Sequence, residues 1–366
     1  MKILFTILAW GWTLALCALT PWPQPPELDP YSSQAVLLSQ DQVLCAASAP
    51  RGLFLMRREG AKEGWFKVLD FDAGTTLREM DACPSPGGFT AALLLAGPRS
   101  TLLTLLQVSG DRPPEQTPVR AVPGELFPRN LCLLPEGDGG AVLLFVISKS
   151  DHRDTILKNS WNKLYAMRVR EGRVIYDQEI GDEDAVNGGS FAAFLDPGGL
   201  VGIVRQRYSL GELQVFTTRI GDDGRTTRGK SILSMRPAAR RKDCLLTLDA
   251  APDGSEVRAL LTEPEKSHFY RVAPDGDIRQ RVDFDRPFVF LGYDPQGPSL
   301  LAADTRSPAL HWLTFPGDRP CDEAFEFPGG IVRLRQPPGS CRWWMETPKG
   351  GTALRKYCQK GCLRAD

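Results

Sequence analysis

The chain has 366 residues, with 44 Lys+Arg against 44 Asp+Glu, 42% hydrophobic and 24% charged, a composition that supports a large core and excludes disorder and collagen. A formal net charge of zero and a pI near 6.8 lack the basic excess of a nucleic-acid binder, so no nucleic acid partner is expected. The 35 Gly and 30 Pro exceed average usage and point to many short elements joined by turns.

Lys2 precedes an apolar run to Leu19 that ends at Pro21-Trp22-Pro23-Gln24-Pro25-Pro26, the pattern of a secretory signal. Ala15 and Cys17 are small residues at the two positions a signal peptidase reads for a cut before Ala18. Residues 1–17 are therefore assigned as signal peptide, 18–33 as a Pro-rich linker and 34–366 as a single domain. Kept uncleaved, the same run is at the short limit of a membrane span. Leu14-Ala15-Leu16-Cys17 also resembles a lipobox, so a lipoprotein anchored through Cys17 is the second reading. Neither reading leaves a transmembrane helix in the mature chain, which is expected as a monomer in the periplasm or outside the cell.

From residue 43 onward a unit recurs seven times: an apolar segment, a Pro-x-Gly turn and a second apolar segment. The turns are Pro50-Arg51-Gly52, Pro86-Gly87-Gly88, Pro135-Glu136-Gly137, Pro197-Gly198-Gly199, Pro252-Asp253-Gly254, Pro295-Gln296-Gly297 and Pro337-Pro338-Gly339, with successive prolines 36, 49, 62, 55, 43 and 42 residues apart. Pro presets the first corner and Gly accepts a positive φ at the second, so each turn announces a tight reversal between two strands. The segments that follow, such as Ala91–Leu95, Ala141–Val146, Leu200–Val204 and Leu300–Ala303, are near-continuous apolar runs, as strands covered on both faces are. Leu164–Arg170 and Leu213–Thr218 alternate and predict strands with one wetter face. Buried inner strands, wetter outer strands and a repeat of this length predict an all-β, seven-bladed β-propeller. Because the seventh unit is short, the apolar segment Gln34–Leu38 is expected to supply its missing outer strand and close the ring.

Two loops stand out within the third unit. Ser148–Trp161 makes that unit the longest and carries Lys149, His152, Arg153 and Trp161 as candidate partner-binding residues. Leu157, Trp161 and Leu164 fall at helical spacing, so a short capping helix competes with a binding loop there. Gly181-Asp182-Glu183-Asp184-Ala185-Val186-Asn187-Gly188-Gly189 gathers hard oxygen donors, with Asp182, Asp184 and Asn187 as weak calcium candidates, but it departs from EF-hand register and reads first as a solvated acidic turn joining two blades. No other cofactor is expected.

Arg236, Arg240, Arg241 and Lys242 form a basic connection between the fourth and fifth units. It should share a face with the loops that follow the second strand of each blade, opposite the Pro-x-Gly turns, and an anionic protein partner would suit that face. Just beyond it, Ala251-Pro252-Asp253-Gly254-Ser255-Glu256-Val257 resembles the P-D-G turn of TolB-like, WD40-like propellers. The resemblance implies a periplasmic, non-catalytic propeller that docks proteins.

Once Cys17 is removed eight cysteines remain, and in an exported chain an even count permits up to four bridges. Cys45, Cys83, Cys132 and Cys244 also read as small buried strand residues, whereas Cys341 and Cys358 lie on consecutive segments near the C-terminus and are the favoured pair. No nucleophile elbow, phosphate loop, dinucleotide fingerprint or zinc-protease motif occurs, and the three histidines are far apart in sequence. The expected function is an exported binding scaffold. The alternative is a propeller hydrolase or lyase with a carboxylate-based site in its central funnel.

Overall fold

The computed structural model describes residues 20–23, 26–28, 35–39, 42–59, 62–85, 87–110, 112–136, 140–149, 161–183, 191–196, 198–240, 243–251, 253–293, 299–304, 306–307, 309–315, 321–326, 333–335, 342–346, 352–357 and 363–365. They contain strands and turns and no α-helix.

Among the described residues, seven antiparallel sheets follow one another. The first holds β1 (Thr20–Trp22), β2 (Glu27–Leu28), β3 (Ala35–Ser39), β4 (Gln42–Ala49), β5 (Arg51–Glu59) and β6 (Lys62–Asp70). The second is β7 (Thr76–Ser85), β8 (Gly88–Ala96), β9 (Ser100–Ser109) and β10 (Glu115–Pro123), and the third β11 (Leu126–Pro135), β12 (Ala141–Lys149), β13 (Trp161–Arg170) and β14 (Arg173–Glu183). The fourth is β15 (Ala192–Leu195), β16 (Val201–Ser209), β17 (Glu212–Ile220) and β18 (Thr226–Met235), and the fifth β19 (Leu245–Ala250), β20 (Val257–Thr262), β21 (Ser267–Val272) and β22 (Ile278–Phe284). The sixth is β23 (Phe288–Tyr293), β24 (Ser299–Asp304), β25 (Ala309–Thr314) and β26 (Cys321–Glu326), and the seventh β27 (Arg333–Arg335), β28 (Arg342–Glu346), β29 (Thr352–Tyr357) and β30 (Leu363–Ala365).

From the second sheet to the seventh, strands pair in chain order, and each repeated turn falls between the first and second strand. Pro86, Pro197, Pro252, Pro295 and Pro337 lie outside the described residues, but the strands on either side of them do not. In the first sheet the turn at Pro50 joins β4 to β5, one strand later, because β3 already pairs with β4 on the other side. That offset explains why the first interval between prolines is the shortest.

The same pairing corrects the expected ring closure. Residues 35–39 belong to the first sheet, with Ala35 opposite Cys45 and Leu37 opposite Val43, and the seventh sheet has four strands of its own. Val36 and Leu38 are buried in a core with Leu44, Leu55, Leu77 and Met80, and each such side chain contributes about 1.5–3 kcal/mol by leaving water. Staying in the first sheet satisfies both the strand ladder and this apolar face.

Burial follows the expected gradient across a sheet. The second strands are almost wholly buried, as in β8 and β12. The third strands alternate, and the outermost strands β10, β18 and β22 are mostly polar and exposed. The helical reading of Trp161 and Leu164 is overturned: both lie on β13, where Leu164 is buried and Trp161 half-buried.

Contacts divide the chain into two compact units, Met1–Leu143 with Val169–Val174, and Leu144–Arg168 with Ile175–Asp366. In the first, sheets one and two stack through Leu53, Leu55, Leu77, Phe89 and Leu93. In the second, Val204, Leu213 and Val215 of the fourth sheet pack on Leu246, Leu248 and Val257 of the fifth. Leu260 and Phe269 continue to Phe288, Leu300 and Leu313 of the sixth.

No disulfide joins any described cysteine. Cys45, Cys83 and Cys244 are buried, Cys132 is half-buried and Cys321 exposed. Burial, helped by the nearby Asp81 carboxylate, pushes the Cys83 thiol up to about 12 and raises that of Cys132 as well. Cys45 and Cys83 are buried strand residues as expected, while Cys132 lies on a strand but is half-buried. Cys341 and Cys358 lie outside the described residues.

Candidate functional site

Within the second unit, four connections meet in one continuous surface. The β16–β17 reversal turns on Leu210-Gly211, with φ of 50° and 82°. Such a left-handed pair matches the twist of a tight hairpin and is normally filled by Asn-Gly or Gly-Gly. A leucine there costs about 1–2 kcal/mol. Leu210 is 101% exposed, so no burial offsets that cost.

Beside this tip, the Glu212 carboxylate accepts hydrogen bonds from Arg236 Nε (2.8 Å) and Ser234 Oγ (3.2 Å). The Arg236 bond, followed by the Ser234 bond, holds Glu212 below the usual carboxylate range. Arg236 opens the connection to β19, which is fixed from beneath by Glu263. The Glu263 Oε1 atom accepts the backbone N–H of Ala238 (2.6 Å) and Ala239 (2.9 Å), while its Oε2 faces His268 Nε2 at 3.1 Å and Lys266 Nζ at 3.5 Å. Burial pushes the Glu263 carboxyl up, but the bonds from Ala239, His268 and Ala238 outweigh it and leave it below its ordinary value.

The connection closes with Asp243 N–H donating to Arg240 O at 2.8 Å and the Cys244 thiol donating to the same oxygen at 3.4 Å. The adjoining β24–β25 turn is tied in by Arg306, which donates to Pro264 O at 2.8 Å and pairs with Glu265. Leu210, Arg236, Arg240 and Arg306 thus share one surface, anchored by the buried Glu263.

Its charge is mixed. Arg236, Lys266 and Arg306 each face a carboxylate of their own, while Arg240 is exposed. The expected basic face is therefore largely neutralised by Glu212, Glu263 and Glu265. An apolar tip within a mixed-charge rim presents features that can engage a protein surface.

The other candidates fall elsewhere. Lys149 is exposed at the end of β12, and Trp161 begins the neighbouring β13, with the Lys163 ammonium 5.4 Å from its ring centre. His152, Arg153, Arg241, Asp184, Asn187 and Lys242 lie outside the described residues. Asp182 lies near the end of β14. Among the described residues no group of three or more His, Cys, Asp or Glu side chains could hold a metal ion.

The His311–Asp322 pair has the outline of an acid–base dyad, with Nδ1 2.7 Å from the carboxylate. Its ring is buried against Phe288, 4.8 Å between centres, with 1% exposure, so a substrate does not reach it.

Sequence reasoning missed Leu210 and Glu263. The first left a signal, a Leu-Gly pair where a two-residue reversal wants Asn-Gly. The second left none, because its partners lie 24 and 25 residues away.

Among solved structures the chain is similar to a prolyl endopeptidase at 12% identity with a TM-score of 0.57, covering 98% of this chain and 51% of that one. It spans about half the length of that enzyme. Hsv2 of Kluyveromyces lactis matches at 12% identity and a TM-score of 0.55, over 91% of this chain and 97% of that one. The Dos1 propeller matches at 10% identity and 0.50, over 93% and 85%.

The fold is a β-propeller.

At these identities the likeness shows the propeller fold alone. No family model matches the sequence, and no curated protein does. No helix among the described residues is long and apolar enough to cross a membrane.

Proposed function

We propose that the protein is an exported, seven-bladed propeller that works as a docking scaffold and holds a protein partner on the surface of Leu210, Arg236, Arg240 and Arg306. The observation that carries this reading is Leu210, a fully exposed aliphatic side chain in a left-handed turn that favours glycine or asparagine. Strain kept without any gain in burial suits a residue selected for contact. An apolar anchor surrounded by charged groups has the makeup of an interface centre and its rim. The signal-like segment before Ala18 supports export to the periplasm or outside the cell, with lipid attachment at Cys17 as the variant of that route.

Site-specific photocrosslinking tests the reading. A benzophenone side chain at 210 or 240 should give the same adduct in the exported fraction, whereas one at Asp275, at the opposite end of β21, should not. Adducts from 275 alone would place docking on the other face.

A further inference from the structure

The first unit contains a cavity of about 320 Å³, at the lower end of the range for small-ligand sites. Its apolar lining includes Leu69, Phe71 and Leu95, half-buried on the outer side of the core, together with Leu102. In its wall stands Thr104, only 2% exposed, and its hydroxyl has no hydrogen-bond partner among the described residues. Buried hydroxyls are normally satisfied, and this one lines a cavity that has room for its missing partner.

The backbone supplies a second sign. Thr104 on β9 lies opposite Pro118 on β10, and the register shifts between Pro118 and Arg120. Proline has no N–H to give the ladder, and bulges recur beside binding sites because they interrupt regular pairing. Gln116 and Pro118 line the cavity from this interrupted strand. Asp70 and Asp72 add two carboxylates, and the Lys67 ammonium faces Asp70 at 2.5 Å.

We infer that this cavity binds a short amphipathic ammonium ion, with its cationic end at Asp72, its aliphatic body along Leu69, Leu95 and Leu102, and a hydroxyl or carbonyl at Thr104 Oγ1. Two carboxylates against one ammonium favour a cation, the apolar lining favours an alkyl chain, and the unpaired hydroxyl favours a second polar group at the far end. The site is separate from the docking surface and stands or falls without it.

Titration of the full chain with three matched probes, read by calorimetry, tests the inference. 5-Amino-1-pentanol should saturate in the millimolar range, pentylamine should bind about tenfold more weakly for want of one hydrogen bond, and 5-hydroxypentanoate should give no saturable heat. Thr104→Val should bring aminopentanol down to the affinity of pentylamine and leave pentylamine unchanged, while Thr104→Ser keeps the difference. Asp72→Asn, at an exposed position, should weaken both amines by a similar factor without changing the melting temperature, and it serves as the test should Thr104→Val fail to fold. Equal binding of the carboxylate, no saturable binding of any probe, or amine affinities indifferent to Asp72→Asn would overturn the inference.

Discussion

The carboxylate of Glu263 takes the backbone N–H of Ala238 at 2.6 Å, so a side chain at the end of one blade holds the connection that leads into it. The Ala239 N–H goes to the same oxygen, so one buried carboxylate oxygen satisfies two backbone donors together. Glu263→Ala should cost about 3 kcal/mol, because it strands two backbone donors and His268, whereas Glu263→Gln should cost about half as much by keeping one acceptor. Urea unfolding measures both, and hydrogen exchange should locate the loosening at residues 236–243.

Acid should act through the same group. The Glu263 and Asp283 carboxyls both lie below their ordinary values of 4.5 and 3.8: burial pushes each up, but hydrogen bonds to the charged form, from Ala239 and His268 and from His268 and Arg281 respectively, outweigh it. A carboxyl depressed on folding adds stability above its unfolded pKa and loses it as pH falls through the folded one. The unfolding free energy should therefore decline below about pH 4.5, and Glu263→Gln should flatten that decline. An unchanged slope in the variant would contradict the assignment.

Arg168 and Asp222 form an asymmetric pair, 2.5 Å apart, with the arginine side chain wholly buried and the aspartate 75% exposed. Removing the aspartate takes one carboxylate away from a buried cation that Gly199 O also holds; removing the arginine leaves a carboxylate in water. Asp222→Ala should cost about 1–2 kcal/mol and Arg168→Met about 1 kcal/mol, so the exposed partner matters at least as much as the buried one. Denaturant midpoints of the two variants decide it.

Much of the fold was legible because turn chemistry is local. Pro-x-Gly reports its own reversal where Gly199 and Gly254 take the positive φ expected of them, 80° and 70°, whereas Gly52 does not and belongs to β5; the described strands on either side of all seven motifs are paired. The place of residues 35–39 was not legible, since an apolar five-residue strand suits an edge of the first sheet as well as one of the last, and only packing against Leu44 and Leu77 decides. Trp161 and Leu164 were ambiguous for a related reason: three apolar residues at intervals of three and four also occur by chance where a loop runs into a strand. The docking surface was half legible. Arg236 and Arg240 stand together in sequence, but Arg306 and the carboxylates Glu212 and Glu265 come from other turns.

Gly254 shows how a local motif becomes a packing requirement. Its φ of 70° needs glycine, and a Cβ there would collide with the Phe194 ring. At Gly211, with φ of 82°, no described atom lies within 4 Å of the added carbon. Gly254→Ala should therefore cost at least about 2 kcal/mol and Gly211→Ala about 1 kcal/mol, the first adding a displaced aromatic ring to the backbone strain they share. Equal losses would mean that Phe194 moves aside freely.

The docking reading is tested most directly by Leu210→Asn, which separates contact from folding. Asparagine accepts the left-handed turn more readily than leucine, so the variant should be about 1 kcal/mol more stable while losing the apolar anchor. Affinity for the partner crosslinked at position 210 should fall at least tenfold in Leu210→Asn and in the double variant Arg236→Glu/Arg240→Glu, and stay unchanged in Asp275→Lys. Undiminished affinity in a more stable Leu210→Asn protein, with loss in Asp275→Lys, would contradict the account.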